Sequence, residues 1–185
     1  MDMRMSRRIY ISISAVVLAI TTAVAASAPG ITGDTVAASA EPDYRIIGVG
    51  DIMMGSDHPL EYLDPRVTED GDPASVIGSE LTSLFKSADV TFGNFEGTLH
   101  SNVDGMKPCS NPKVCFLFRS PPWHAAYLRR AGFTMISNAN NHARDFGEAN
   151  RSATYRNLTA AGFAVSGADT PDTRFGVQTL KDGTK

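Results

Sequence analysis

Short apolar strands alternate with stretches of helical periodicity, and this alternation limits the fold more than any other feature of the sequence. Strands are predicted at residues 44–50, 89–93, 133–137 and 163–165, and helices at residues 74–88, 121–131 and 148–161. Residues 116–118 are predicted to be a brief edge strand. A strand, a helix and a further strand form the repeating unit of parallel sheets. The order therefore predicts an α/β fold with largely parallel strand pairing.

The first forty residues differ in composition from the rest of the chain. Arg4, Arg7 and Arg8 precede an apolar run over residues 9–28, and small-residue Ala-x-Ala patterns lie at its end and beyond it. This arrangement is typical of a secretory signal peptide. The alternative is an uncleaved membrane anchor, because the run approaches the ~20 residues that a spanning helix needs. Residues 1–40 are thus predicted to be a signal peptide or anchor with a linker, which exports the protein to the cell envelope or beyond.

Residues 41–185 have the length of a single domain, but the end of the sequence predicts that this domain is incomplete. Residues 175–180 have the pattern of a strand, and Asp182-Gly183 is a strong signal for a two-residue hairpin turn. The sequence stops two residues later, before any return strand. We therefore expect the N-terminal part of a longer domain, with a sheet edge and face that the remainder would cover.

Charge and cysteine content exclude some classes of function. The formal net charge is −3, which argues against nucleic-acid binding, since that requires a basic surface. The two cysteines, Cys109 and Cys115, form no CxxC redox motif, and two cysteines alone do not make a structural zinc site. In an exported protein their pairing would staple a short loop, although the sequence leaves the pairing itself open.

Polar side chains follow three of the predicted strands. Asp51 follows the first strand, Asn94 and Glu96 follow the second, and residues 137–147 (SNANNHARDFG) follow a later one. Because the carboxyl ends of parallel strands lie along one edge of a sheet, these distant groups are expected to converge there. Carboxylate and amide oxygens suit Mg²⁺ or Mn²⁺, and an imidazole adds affinity for Zn²⁺ or Fe.

Each of these residues also has an ordinary structural interpretation. Asp51 is also explained as a turn residue, and Glu96 as a solvated loop acid. The asparagines suit left-handed turns or the N-cap of the next helix, and Asp145 suits a cap or an orienting role. The remaining histidines are interpreted as structural or exposed residues: His58, His100 and His124.

Three motifs stand in the order found in the CapA family of bacterial capsule (poly-γ-glutamate) synthesis proteins, and the chain resembles that family. They are residues 50–55 (GDIMMG), 93–97 (GNFEG) and 139–147 (ANNHARDFG). The linking residues 118–122 (FRSPP) and 131–133 (AGF) also resemble the family. The resemblance covers about residues 44–167, and the last motif is its most specific part.

The CapA family is similar to calcineurin-like metallophosphatases, in which two sheets are sandwiched between helices. The resemblance implies that Asp51 and Asn141 are metal ligands and that Glu96 occupies the place of a metal-bridging acid. It implies that His142 is a proton donor or substrate contact and that Asp145 orients it. The implied cofactors are divalent ions, namely Mn, Mg, Fe or Zn.

The sequence departs from the wider superfamily at two points. That superfamily usually has Asp-x-His in its first motif, where this chain has Met53, and full-length relatives carry later histidine motifs. This chain has no histidine after His142, so it is expected to hold at most half of a metal site.

The resemblance implies an exported, metal-dependent hydrolase-type factor. Its expected partners are an envelope polymer such as poly-γ-glutamate and membrane-bound capsule synthesis proteins. Two alternatives stay open: a non-catalytic polymer-binding or anchoring component of a capsule assembly, and an inactive truncated remnant.

Overall fold

The computed structural model describes residues 43–167 and 175–185. The strands are β1 (Ile46–Ile52), β2 (Gly55–Ser56), β3 (Tyr62–Leu63), β4 (Val90–Phe95), β5 (Thr98–Leu99), β6 (Arg119–Ser120), β7 (Met135–Ser137) and β8 (Ala164–Ser166). The helices are α1 (Ala74–Ile77), α2 (Ser79–Ser87), α3 (His124–Ala131) and α4 (Gly147–Ala160).

A four-stranded sheet with the spatial order β1-β4-β7-β8 forms the centre of the fold, and each of its pairings is parallel. Parallel neighbours need crossover connections, and here helices α2, α3 and α4 lie within those connections. Two small pairs flank the sheet: β2 with β3, antiparallel, and β5 with β6, parallel. The predicted α/β class with largely parallel pairing is confirmed, and it is consistent with a metallophosphatase-like fold.

The two faces of the central sheet differ in burial. The register places Ile47 beside Thr91 and Ile136 beside Val165, and all four side chains are buried. The opposite face is half-buried or exposed along the register row formed by Gly48, Phe92, Met135 and Ala164. The sheet therefore packs its core on one face in the described part of the chain.

Helices α2, α3 and α4 all contribute buried residues to that core. Phe85, Leu128 and Leu158 belong to a single apolar cluster that also contains Ile136. Leu158 is 0% exposed, and complete burial of such a side chain contributes about 1.5–3 kcal/mol. This packing holds the strands in the register that brings their polar carboxyl ends together.

The predicted helix over residues 74–88 is wrong as a continuous element. Gly78 has a φ of 91°, which no α-helix accommodates, and it separates α1 from α2. The apolar spacing on both sides of Gly78 matched one helical period, so the break was hidden in the pattern.

The first two strands extend further than predicted. Asp51 lies inside β1 and Asn94 inside β4, whereas both were expected in the loops that follow. The register between these strands shifts between Gly48 and Asp51, so that Asp51 lies opposite Asn94. A bulge of this kind inserts an extra residue in one strand and redirects the side chains after it.

Two other strand predictions are also wrong. Residues 175–180 form no strand, and the described residues offer them no ladder partner. A turn is present, but it differs from the predicted two-residue one: the Gly183 N–H donates to the Leu180 carbonyl at 3.0 Å and the Leu180 N–H to the Thr184 carbonyl at 2.8 Å, so three residues lie between Leu180 and Thr184. The edge strand expected at residues 116–118 is reduced to an isolated bridge between Leu117 and His58.

The Cys109 and Cys115 side chains form a disulfide, with their Cα atoms 5.7 Å apart. The disulfide closes a short surface loop, as expected if the two cysteines pair. The predicted signal peptide or anchor at residues 1–40 lies outside the described residues and stays a prediction. Within residues 43–167 and 175–185, no helix has the length and apolar character needed to cross a bilayer.

Candidate functional site

Two carboxylates meet over one amide at the carboxyl edge of the central sheet. The Asn94 Nδ2 group donates to Asp51 Oδ1 at 2.7 Å and to Glu96 Oε2 at 2.8 Å. The bulge in β1 makes the first contact possible, because it places Asp51 rather than Gly50 beside Asn94. The structure therefore brings Asp51 and Glu96 together at this edge, as predicted, with Asp51 inside β1 and Glu96 directly after β4.

Asn140 connects the loop after β7 to this pair of acids. Its Nδ2 group donates to Asn94 Oδ1 at 3.0 Å and to the Phe95 carbonyl at 2.8 Å, and its Oδ1 accepts the His142 N–H at 3.1 Å. The backbone N–H of His142 identifies the oxygen of the Asn140 amide, and the backbone carbonyl of Phe95 identifies its nitrogen. This assignment in turn identifies the oxygen and nitrogen of the Asn94 amide. The oxygen of Asn94 faces Asn140, and its NH₂ group faces the two acids.

The neighbouring Asn138 connects the loop after β7 to the turn after β4. Its buried Nδ2 group donates to the carbonyls of Phe95 and Gly97, both at 2.9 Å. Gly97 has a φ of 125°, and a Cβ there would come within 2.7 Å of the Phe118 backbone oxygen. The turn after β4 therefore needs glycine, and it brings Phe118 close to the site.

His142 and Asp145 form a hydrogen-bonded pair beside the acids. The His142 Nδ1 atom lies 2.7 Å from Asp145 Oδ2, and its Nε2 atom lies 3.9 Å from Glu96 Oε1. When Nδ1–H donates to the Asp145 carboxylate, Nε2 is the unprotonated nitrogen and lies on the side of Glu96. The Phe118 ring packs against the imidazole, with the ring centroids 4.4 Å apart.

Asp145 is 0% exposed and has further partners besides His142. The Phe118 N–H donates to Asp145 Oδ2 at 2.9 Å, and the Lys107 ammonium pairs with Oδ1. The Lys107 N–H also donates to the Asp145 carbonyl at 2.8 Å. A buried carboxylate needs such compensation, because leaving a buried charge unpaired is strongly unfavourable.

Asn141 differs from the other predicted site residues. It lies in the same loop, but it is exposed, and its side chain makes no hydrogen bond in the described part of the chain. Met53, at the position where the superfamily usually has histidine, is 49% exposed. The structure thus gathers Asp51, Glu96, His142 and Asp145, and leaves Asn141 at the rim.

The prediction missed the framework residues Asn94, Asn140 and Lys107. Asn94 and Asn140 belong to the polar clusters seen in the sequence, and only the strand register shows which members touch. Lys107 has no local signal, since 38 residues separate it from Asp145. The other histidines match their structural interpretation: burial lowers the pKa of His100, and it lowers the pKa of His124 to about 4.

The oxygen atoms of the two acids are of the kind that bind divalent cations. Asp51 and Glu96 direct oxygens to one point, where a single NH₂ group now bridges them, and hard cations prefer such oxygens. In the described residues, one group of three possible metal ligands has its atoms within 4.8 Å of one another: His58, Cys109 and Cys115. Its sulfurs are bonded in the disulfide. Asp51, Glu96 and His142 do not form such a group in the described residues, so the two acids provide oxygens of the type that a hard cation prefers without a third ligand at that spacing.

Comparison with known proteins identifies the family. The model of a family described as bacterial capsule synthesis protein PGA_cap matches residues 45–179. The chain belongs to this family. The resemblance to CapA-type capsule proteins is thereby confirmed, and the matched range of the PGA_cap family contains the whole candidate site. Membership connects the chain with capsule synthesis.

Relatives of known sequence extend well beyond the matched region. Two uncharacterized proteins of Sinorhizobium fredii (strain NBRC 101917 / NGR234), y4sH and y4uA, are each 27% identical to the chain over 147 residues. The alignment covers 74% of this chain and 27% of each relative. The chain thus spans about a quarter of the length of these two relatives.

Proposed function

We propose that the chain supplies part of a divalent-cation site in an exported capsule synthesis protein, which acts as a metal-dependent hydrolase on an envelope polymer such as poly-γ-glutamate. The observation that carries this proposal is the convergence of Asp51 and Glu96 on one amide, beside the His142–Asp145 pair. Family membership supports the polymer, and the composition of residues 1–40 supports export. Membrane-bound capsule synthesis proteins are the further partners that we propose.

The cation ligands from this chain are Asp51, Glu96 and Asn141. Asn140 is the less available ligand, because its NH₂ group donates to Asn94 and to the Phe95 carbonyl and its Oδ1 already accepts the His142 N–H. The amide of Asn141 has no such commitment, and it lies one residue before His142. Mn, Mg, Fe and Zn all accept this mixture of oxygen ligands with a nearby imidazole.

The catalytic role of His142 follows from its tautomer. Asp145 holds the Nδ1 proton, so Nε2 is the atom that takes up a proton and later delivers it to a leaving group. A bound divalent cation would supply charge neutralisation at a phosphoryl or carbonyl oxygen of the substrate. The same residues therefore serve hydrolysis of an amide or of a phosphoester.

Titration with Mn²⁺, followed by calorimetry, tests the ligand set. Loss of a residue that only hydrogen-bonds to a metal ligand reduces metal affinity about 10–100-fold. Replacing a ligand itself, as in Asp51→Asn or Glu96→Gln, should therefore weaken binding at least about tenfold. Unchanged affinity in both variants, or no binding by the unsubstituted chain and by a longer protein that contains it, would eliminate the metal-dependent enzyme.

Asn140 and Asn141 provide a matched pair within one loop. Asn141→Ala should weaken Mn²⁺ binding and leave the free energy of unfolding unchanged, since its side chain is exposed. Asn140→Ala should lower the free energy of unfolding by about 1–3 kcal/mol, because it leaves part-buried hydrogen-bond partners unsatisfied. The reverse pattern would transfer the ligand role to Asn140.

One observation favours a second candidate, a non-catalytic polymer-binding component. Met53 is exposed where related enzymes carry a metal-binding histidine, so the first motif contributes a single ligand instead of two. Such a component would bind poly-γ-glutamate equally well with and without EDTA. Binding and cleavage that both need Mn²⁺ would contradict it.

A further inference from the structure

Both ends of one loop meet at Asp145. Lys107 reaches Asp145 through its ammonium group and through its backbone N–H, and Phe118 reaches it through its own N–H. Residues 107–118 leave the site at Lys107 and return to it at Phe118. We call this segment the clamp loop.

The disulfide closes the clamp loop close to both of its ends. Cys109 lies two residues after Lys107, and Cys115 lies three residues before Phe118. Bridging the two cysteines limits the separation that Lys107 and Phe118 can adopt. The loop between the sulfurs is largely exposed, so its own packing does little to hold those two residues.

Three contacts from the clamp loop define the state of the imidazole. The Lys107 ammonium balances the charge of the buried Asp145, the Phe118 N–H holds Oδ2 in place, and the Phe118 ring supports the face of His142. The partner of one ring nitrogen determines which tautomer a histidine adopts. These contacts therefore hold Asp145 Oδ2 and the imidazole in place for the hydrogen bond at Nδ1.

We propose that the disulfide-closed clamp loop is the positioning element of the His142–Asp145 pair, with Lys107 and Phe118 as its positioning residues. It rests on the proposed function only for what the Nε2 atom does to a substrate. The orientation and tautomer of His142 are properties of the protein without cation or polymer, so they can be measured alone.

The test uses ¹⁵N-detected NMR of the histidine rings in the chelator-treated chain at one fixed, mildly alkaline pH. His142 should show the Nδ1–H tautomer in the unsubstituted protein. Lys107→Met should let the Asp145 side chain shift away from Nδ1 and so raise the share of the Nε2–H tautomer of His142, and Lys107→Arg should restore the original share. Lys113→Met is the matched control, because this exposed lysine belongs to the same loop.

Two further arms keep the test decisive if Lys107→Met does not fold. Cys109→Ser combined with Cys115→Ser should shift the tautomer in the same direction while the backbone amide spectrum stays dispersed. Phe118→Leu keeps the backbone N–H that donates to Asp145 Oδ2, so it should leave the tautomer unchanged. An unchanged Nδ1–H signature in the double cysteine variant, and in Lys107→Met where it folds, would overturn the clamp. If Mn²⁺ binds normally but the tautomer does not change, the positioning role of the clamp loop is refuted and the metal site is not. If the tautomer changes but Mn²⁺ does not bind, the metal site is refuted and the positioning role is not.

Discussion

His124 should make the protein sensitive to acid. It is the first residue of α3, it is 1% exposed, and its ring packs edge-on against Trp123 with centroids 4.1 Å apart. Its Nδ1 atom is buried and has no hydrogen-bond partner among the described residues. Burial lowers the pKa of His124 from 6.5 to about 4, because no nearby group compensates a positive charge.

The size and sign of the effect follow from this displacement of the pKa. The unfolded chain binds a proton at His124 below about pH 6.5, whereas the folded chain does so only below about pH 4. Stability is therefore complete above the unfolded pKa and decreases as the pH falls toward the folded one. At about 1.4 kcal/mol per pKa unit, the whole loss is about 3 kcal/mol, and roughly 2 kcal/mol of it occurs between pH 8 and pH 5.

Urea denaturation of the unsubstituted chain and of His124→Gln, each at pH 8 and pH 5, measures this loss. The variant removes the titration of His124, while every other titrating group is common to both proteins. The free energy of unfolding should fall by about 2 kcal/mol more in the unsubstituted chain than in the variant. An equal fall in both would refute the reasoning, even if His124→Gln lowers stability at both pH values.

Three further substitutions test the packing behind the site, each by the free energy of unfolding in urea. Leu158→Ala should cost about 2–5 kcal/mol, because Leu158 is 0% exposed in the core. Thr154→Val should cost about 1–3 kcal/mol, because the buried Leu99 N–H donates to Thr154 Oγ1 at 2.8 Å and would lose its acceptor. Gly97→Ala should destabilise the protein and disturb the Phe118 amide resonance, since the new Cβ would contact the Phe118 backbone. A loss of less than about 0.5 kcal/mol in the free energy of unfolding would contradict the prediction for any of the three variants.

The sequence predicted the class of fold and the edge on which the polar groups meet. Alternating strands and helices imply a parallel sheet, and a parallel sheet aligns the carboxyl ends of its strands. Asp51, Glu96 and His142 needed no further information to be placed at that edge. Local periodicity was sufficient there because these strands carry polar residues at or just after their carboxyl ends, which the core cannot accept.

Local patterns were insufficient wherever two separate segments decide the outcome. Gly78 breaks a helix whose apolar spacing continues through it, and no periodicity reveals that break. The bulge in β1 is also invisible, since the choice between Gly50 and Asp51 as neighbour of Asn94 depends on pairing with β4. Residues 175–180 have the composition of a strand, but a strand exists only where a second one offers its ladder.

The two adjacent asparagines show the same limit within the site itself. Asn140 and Asn141 are identical in chemistry, and no local rule separates a framework amide from an available one. The separation arises because Asn140 donates to Asn94 and to the Phe95 carbonyl on β4, which uses both N–H bonds of its amide group. The contact between Lys107 and Asp145 also depends on separate segments, since a disulfide-closed loop brings the lysine to the acid. The sequence thus names the groups that can do the chemistry, and the contacts between segments decide which of them are free to do it.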